Sequence, residues 1–266
     1  MLRTITTKTL FDQRRALIGW SVSLVALVGM YAAIWPSIRD QPSMNDFLHQ
    51  MPEAFRALFA SSGADMSTPT GYVQIELLSF MGPMLLLIYA ITAGAGAVAG
   101  EEDRHTLDLL LANPIGRGRL VGEKFLAMLA GTTLLAAVLA VALISEGAAA
   151  GMRLPAGRVV AAMTHLGLLA LVFGALALAI GGATGHPGAA RAVPGVLAVA
   201  TYVLNGLGGV VDWLAPLRKL SPFYQYAGHD PLRTGLWLPS VGISLATIAV
   251  LLAVAVVAFR RRDVAA

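Results

Sequence analysis

The chain has 266 residues, 57% of them hydrophobic and 13% charged, with a net charge of +4 and no cysteine. Soluble domains carry roughly a quarter charged residues, so a soluble enzyme is excluded, and with it any disulfide, thiolate metal site or cysteine nucleophile. The basic balance does not indicate nucleic acid, because the basic residues flank long apolar runs whose topology explains them.

Six stretches contain no Asp, Glu, Lys or Arg: 16–38, 77–100, 125–145, 159–190, 192–211 and 234–259. Each reaches the ~20 residues a helix needs to cross a ~30 Å hydrocarbon layer. The runs are too long and too unalternating for barrel strands, and only helices or closed barrels satisfy the backbone in lipid. The expectation is an all-α polytopic membrane protein, a single transmembrane domain over 1–266. Its spans fall near 16–36, 73–99, 124–145, 159–182, 192–212 and 238–259, with short interfacial helices and a polar loop at 100–123.

The first span follows Asp12-Gln13-Arg14-Arg15 and is too long for a cleavable signal peptide. After it, Met44, Phe47, Leu48, Met51, Phe55, Leu58 and Phe59 fall on one helical face opposite Asp46, His49, Gln50, Glu53 and Arg56. That amphipathic pattern predicts a helix lying along the outer interface, as a cap over the spans or as a gate. Glu76 sits at the outer end of the second span, where it can reach water. Gly96-x-x-x-Gly100 and Gly181-x-x-x-Gly185 offer small faces for close helix approach.

Between the second and third spans lies EEDRHTLDLLLANPIGRGRLVGEK, residues 101–124, with nine charged residues in 24. Leu107, Leu110 and Leu111 stand at i, i+3 and i+4, one face of a short helix. Pro114 ends it, lacking a donor and disfavouring the helical region for Asn113. A short helix on the water side of two spans is a grip for another protein.

His165 in the fourth span and Asn205 in the fifth are polar groups at membrane depth. Lining a pathway and forming an interhelical hydrogen bond are both open for them. The connection 212–237 carries Trp213, Phe223, Tyr224, Tyr226 and Trp237, broken by Pro216, Pro222, Gly228 and Pro231. It predicts short helices at the outer boundary.

Six spans put both termini on one side. Arg3, Lys8, Arg14, Arg15, Arg104, Arg117, Arg119, Lys124, Arg191, Arg260, Arg261 and Arg262 share that side, against seven Lys and Arg in the longer loops opposite. The positive-inside rule makes both termini and the 101–124 segment cytoplasmic, and the chain is placed in the plasma membrane of a bacterial cell. No GxxxxGK[ST] phosphate loop and no HExxH motif occur. Glu101-Glu102 opens like the EExxxR pattern of intramembrane proteases, but Thr106 stands at the Arg position. The five histidines (49, 105, 165, 186 and 229) make no helical metal pair at i, i+3 or i+4.

The run E-E-x-x-x-T-L-D-L-L-L-A-x-P-I-x-R-x-x-L-V-x-x-K resembles the signature between the second and third spans of type-2 ABC exporter permeases. Ala258-Phe259-Arg260-Arg261-Arg262-Asp263 and Leu220-Ser221-Pro222-Phe223 are similar to that family's ending and outer loop. The resemblance implies a coupling helix gripped by a separate ATPase subunit, which would bind ATP and magnesium; this chain would hold no cofactor and no metal and catalyse nothing. By position, Glu101 and Glu102 would open the coupling helix at its positive end. Thr106 belongs to the same matched run. Leu107, Leu110 and Leu111 would pack on the bundle or the ATPase, Pro114 would set the turn, and Arg117 would contact the partner or anionic headgroups. Gly116 stands where the family often has Ser, and His105 where Gly is common. The implied partners are an ABC ATPase, a second permease chain, identical or homologous, and membrane lipids, with no nucleic acid. The implied function is ATP-driven export of an amphiphilic or hydrophobic substrate by alternating access. The alternatives are a secondary transporter, which needs mid-membrane carboxylates that these spans lack, and a non-transporting membrane regulatory subunit.

Overall fold

The computed structural model describes residues 4–39, 50–52, 57–58, 65–108 and 115–262. Leu110, Leu111, Pro114 and most of the amphipathic stretch 44–59 lie outside the described residues. Among the described residues there are helices and no strands. Six helices are long and apolar enough to cross a membrane: α1 (Ile5–Ile38), α2 (Pro69–Ala97), α4 (Arg117–Ala149), α5 (Ala156–Thr184), α6 (Pro187–Leu207) and α10 (Leu238–Arg261). The short α3 (Ala99–Asp103) follows α2. Three more, α7 (Ala215–Arg218), α8 (Pro222–Ala227) and α9 (Pro231–Thr234), divide the connection between α6 and α10 at its prolines.

The helices outrun the charge-free stretches, because a helix need not stop where hydrocarbon does. Helix α1 starts at a capping box in which the Thr4 hydroxyl accepts from the Thr7 backbone N–H, satisfying a donor the helix leaves orphaned. Its first two turns are therefore polar helix outside the apolar run. Helix α6 begins five residues before the expected span, on Pro187 with its preset φ. It closes at Leu207, ahead of Gly208 and Gly209, so 208–211 is not helical.

Helix α5 is the hub. It packs against α2, α4, α6 and α10, and most of its side chains are buried. Its closest approach is to α2, through glycines the GxxxG pattern did not single out. A Cβ on Gly94 would overlap the Gly174 carbonyl, and one on Gly174 would lie 2.7 Å from Met128 Sδ and 3.0 Å from the Ala90 carbonyl. Gly96 has open space around it, and Gly185 lies beyond the end of α5. Of the expected small faces, Gly181 does meet its neighbours, a Cβ there standing 3.4 Å from Ala99 Cβ and 3.6 Å from Ala190 Cβ, whereas Gly96 and Gly185 do not pack that way and the tightest approach is at Gly94 and Gly174.

In its first half, α2 widens to a π-helix over Gln74–Met81. Pro83 explains it. An α-helical register would press the proline ring against the Ser79 carbonyl, and the wider i→i−5 ladder, with Gly82 N–H donating to the Leu77 carbonyl, relieves that clash. The Ser79 hydroxyl follows the same spacing, donating to the Gln74 carbonyl at 2.7 Å.

Candidate functional site

The charged segment, the start of α1 and the end of α10 meet at one end of the bundle. Helix α3 closes with the N–H of Thr106 donating to the Glu101 carbonyl and that of His105 to the Glu102 carbonyl, both at 2.9 Å. This is the paired bonding of a Schellman cap, which needs a left-handed residue between helix and exit. His105 supplies it at φ +54°, a conformation that glycine adopts without a Cβ penalty. Helical backbone resumes at Leu107 and Asp108. Glu101 and Glu102 therefore do not open the helix carrying Leu107, as expected; they close the preceding one, because the cap reverses the chain just after them.

The two carboxylates then face different elements. Glu101 accepts from Lys124 Nζ of α4 at 2.5 Å and from the Thr106 hydroxyl, with Arg104 at 3.8 Å. Lys124 is 6% exposed, so its ammonium depends on that one carboxylate. Burial would raise the Glu101 pKa, but the bonds from Lys124 and Thr106 and the nearby cations outweigh it and hold it below the ordinary carboxylate value. Glu102 pairs with Arg262, at the end of α10.

Arg117, at the far end of the segment, closes the same clamp. Its Nη1 donates to the carbonyls of Phe259, Arg260 and Arg262 at 3.3, 3.3 and 2.7 Å, and its guanidinium lies 5.5 Å from the Phe259 ring centre. These are orphan carbonyls at a helix end, which cations cap favourably. Arg117 was expected to reach a partner or headgroups; it is occupied inside the chain, because α10 ends beside the start of α4. Gly185 makes room for the clamp. It caps α5 at φ +70°, and a Cβ there would overlap Arg262 and come within 2.8 Å of Glu102 Oε2.

Leu107 is 1% exposed and belongs to a core cluster with Leu120, Val121, Leu178 and Phe259. It is a bundle anchor, while its neighbours Arg104 and Asp108 are exposed. The start of α1 is tied in as well: Ile5 N–H donates to Glu123 Oε2 at 2.6 Å and the Thr6 hydroxyl to the Glu123 carbonyl at 3.0 Å.

Beside the clamp a cleft of about 730 Å³ runs between α1 and α2, with α4 as its floor. It exists because α1 leans on α4 whereas α2 leans on α5. Tyr89, Thr92, Ala93, Gly96 and Ala97 line it from α2, spaced as one helical face. Trp20 meets Tyr89 edge-on at 6.3 Å between ring centres.

His165 and Asn205, the two pathway candidates, do not line this cleft. His165 is buried and its Nε2 accepts from the Trp237 N–H at 3.2 Å. Asn205 Oδ1 accepts from Arg218 Nε at 3.1 Å. Both fasten the connection between α6 and α10 to the bundle. Tyr226 does the same, donating to the Leu78 carbonyl at 2.8 Å. Sequence reasoning missed Lys124 and Arg262 as partners of the two glutamates. Their only signal was position, one at the lower edge of a span and one in a basic tail.

A sequence model of the ABC-2 family transporter proteins matches residues 3–264. Among curated proteins the chain is similar to a probable ABC transporter permease protein, NosY, of Stutzerimonas stutzeri, 35% identical over 126 residues. That match covers 42% of this chain and 44% of the relative, so less than half of the relative's length is spanned.

Proposed function

This chain belongs to the ABC-2 family of transporter proteins, and we propose that it is a membrane permease subunit that works with a separate ABC ATPase and forms the transport half of an exporter for amphiphilic or hydrophobic substrates. In this reading the charged end is cytoplasmic, two permease chains, identical or homologous, pair with two ATPase chains in a lipid bilayer, and ATP with magnesium binds to the ATPase alone. Closure of the ATPase pair pushes on the exposed residues around Arg104 and Asp108. The segment passes the push on because it is fixed at both ends.

The double fixing carries the proposal. Glu101 ties the segment to α4 through Lys124, while Glu102 and Arg117 tie it to α10. A displacement at Asp108 therefore moves three spans together, whereas a floppy loop would absorb it. Nucleotide shifts the inward–outward equilibrium only by its differential affinity for the two states, so a stiff link conserves the coupling.

The chain has no natural cysteine, so single-cysteine variants report cleanly. Asp108→Cys is expected to cross-link to the ATPase through a short bifunctional maleimide and to resist an impermeant maleimide applied from outside intact cells. Arg153→Cys, at the opposite end, is expected to react with that reagent and form no cross-link. Reversed labelling, or a complex with ATP-driven transport whose Asp108→Cys never meets the ATPase, would overturn the coupling role. Leu107→Asp is a poor probe, because it injures the core before it touches coupling.

A further inference from the structure

We propose that the cleft between α1 and α2 binds an anionic amphiphile, its carboxylate or phosphate head at the charged rim and its chain between the aromatic walls. The inference deepens the export reading by naming a substrate class, and rests on it for the direction of movement, not for the binding.

The chemistry is asymmetric along the cleft. At its mouth stand Lys8 and Asp12 of α1, Arg104, Arg191 of α6, and the Glu101–Lys124 pair. Glu101 is already occupied by Lys124 and Thr106, so it offers a ligand no free negative charge. Among the described residues neither Lys8 nor Arg191 forms a salt bridge within 4.0 Å, and the one remaining acid at the mouth is Asp12. The rim thus holds a surplus of cations on opposite walls, Lys8 on α1 and Arg191 on α6.

Deeper in, the lining turns apolar: Ala16 and Trp20 from α1, Tyr89, Ala93 and Ala97 from α2, and Met128 from α4. Gly96 and Thr92 keep the α2 wall low, and a Cβ on Gly96 would meet nothing within 4 Å. The volume of about 730 Å³ falls in the roughly 300–1,000 Å³ range of small-molecule sites. A charged mouth over an apolar interior with aromatic walls fits a molecule with one charged end, and the surplus sign at the mouth selects an anion. A cationic amphiphile would meet Lys8, Arg104 and Arg191 head-on.

The test uses the full-length permease alone in nanodiscs of zwitterionic lipid, with Thr92→Cys carrying an environment-sensitive fluorophore in the cleft. Four single-chain probes of equal length are titrated: a fatty acid, a lysophosphatidylglycerol, a lysophosphatidylcholine and an alkyltrimethylammonium. Matched chains equalise partitioning into the disc. The two anions are expected to saturate the signal at concentrations about tenfold below the other two, and the better of them identifies carboxylate or phosphate. Lys8→Gln with Arg191→Gln is expected to remove that advantage while altering the zwitterion less than twofold. Asp12→Asn is expected to tighten anion binding about twofold, a gain that misfolding cannot mimic. Equal affinities across the four heads, a preference for the ammonium probe, or an unchanged anion advantage in the double variant would each overturn the proposal. ATP-driven transport plays no part in these readouts. If anion binding holds and reconstituted transport fails, the export reading falls and the site stands.

Discussion

Removing Glu101 and removing Lys124 break the same 2.5 Å contact, yet the structure makes their costs unequal. Glu101→Gln leaves an ammonium that is 6% exposed without a counter-charge, and stripping one partner from a buried pair costs roughly 3–5 kcal/mol. The carboxylate side of the pair is 17% exposed, so the site is at the edge of water and the low end, about 3 kcal/mol, applies. Lys124→Met keeps a chain of similar length for the apolar stem to fill. Glu101 then retains Thr106, Arg104 and water, and the loss is at the low end for one charge-assisted bond, about 1.5 kcal/mol. The double variant carries no buried lone charge and is expected to resemble Lys124→Met, which gives a coupling energy of about 3 kcal/mol in the cycle. Thermal unfolding of the purified permease in nanodiscs measures this. For a chain of this size each kcal/mol corresponds to roughly 2–4 °C, so Glu101→Gln is expected to lose about 6–12 °C and Lys124→Met about 3–6 °C. Equal losses, or a larger one for Lys124→Met, would show that the ammonium is not held by this carboxylate and would refute the reasoning.

The same carboxylate sets a pH dependence. Its folded pKa lies below the ordinary 4.5, so its contribution is complete above pH 4.5 and fades as pH falls through the lower folded value. Unfolding temperature measured from pH 6 to pH 3 should drop more steeply for the wild type than for Glu101→Gln, and parallel curves would contradict this. His105→Gly removes a left-handed penalty of about 1–2 kcal/mol and adds back part of it as chain entropy; the variant should unfold slightly later than wild type, and His105→Val earlier. Gly185→Ala meets both a positive φ and the Glu102–Arg262 pair. It should cost at least about 2 kcal/mol and speed trypsin cleavage in the 260–262 tail, whereas an unaltered cleavage rate would show that Gly185 does not shelter the clamp.

What the amino-acid order determined by itself was the solvent. Runs of some twenty residues without a charge admit only helices in hydrocarbon, and the crowding of Lys and Arg near three separated places already grouped those places at one end. Lys8, Arg104, Lys124 and Arg191 do border a single cleft, and Thr6, Glu123, Arg117 and Arg262 link the same end. The helix limits were less legible, since caps such as Thr4 and breaks such as Gly208 act beyond the apolar run. Tertiary structure alone decided which charges meet. Glu102 and Arg262 are 160 residues apart, and no periodicity reports such a pair. It likewise decided that Leu107 is core, that Arg117 caps α10 instead of facing outward, and that Gly94 and Gly174 bring α2 onto α5. The physical reason is range. Desolvation acts on each residue wherever it stands, so composition records it, whereas ion pairs and close packing depend on the few ångströms between elements that only folding brings together.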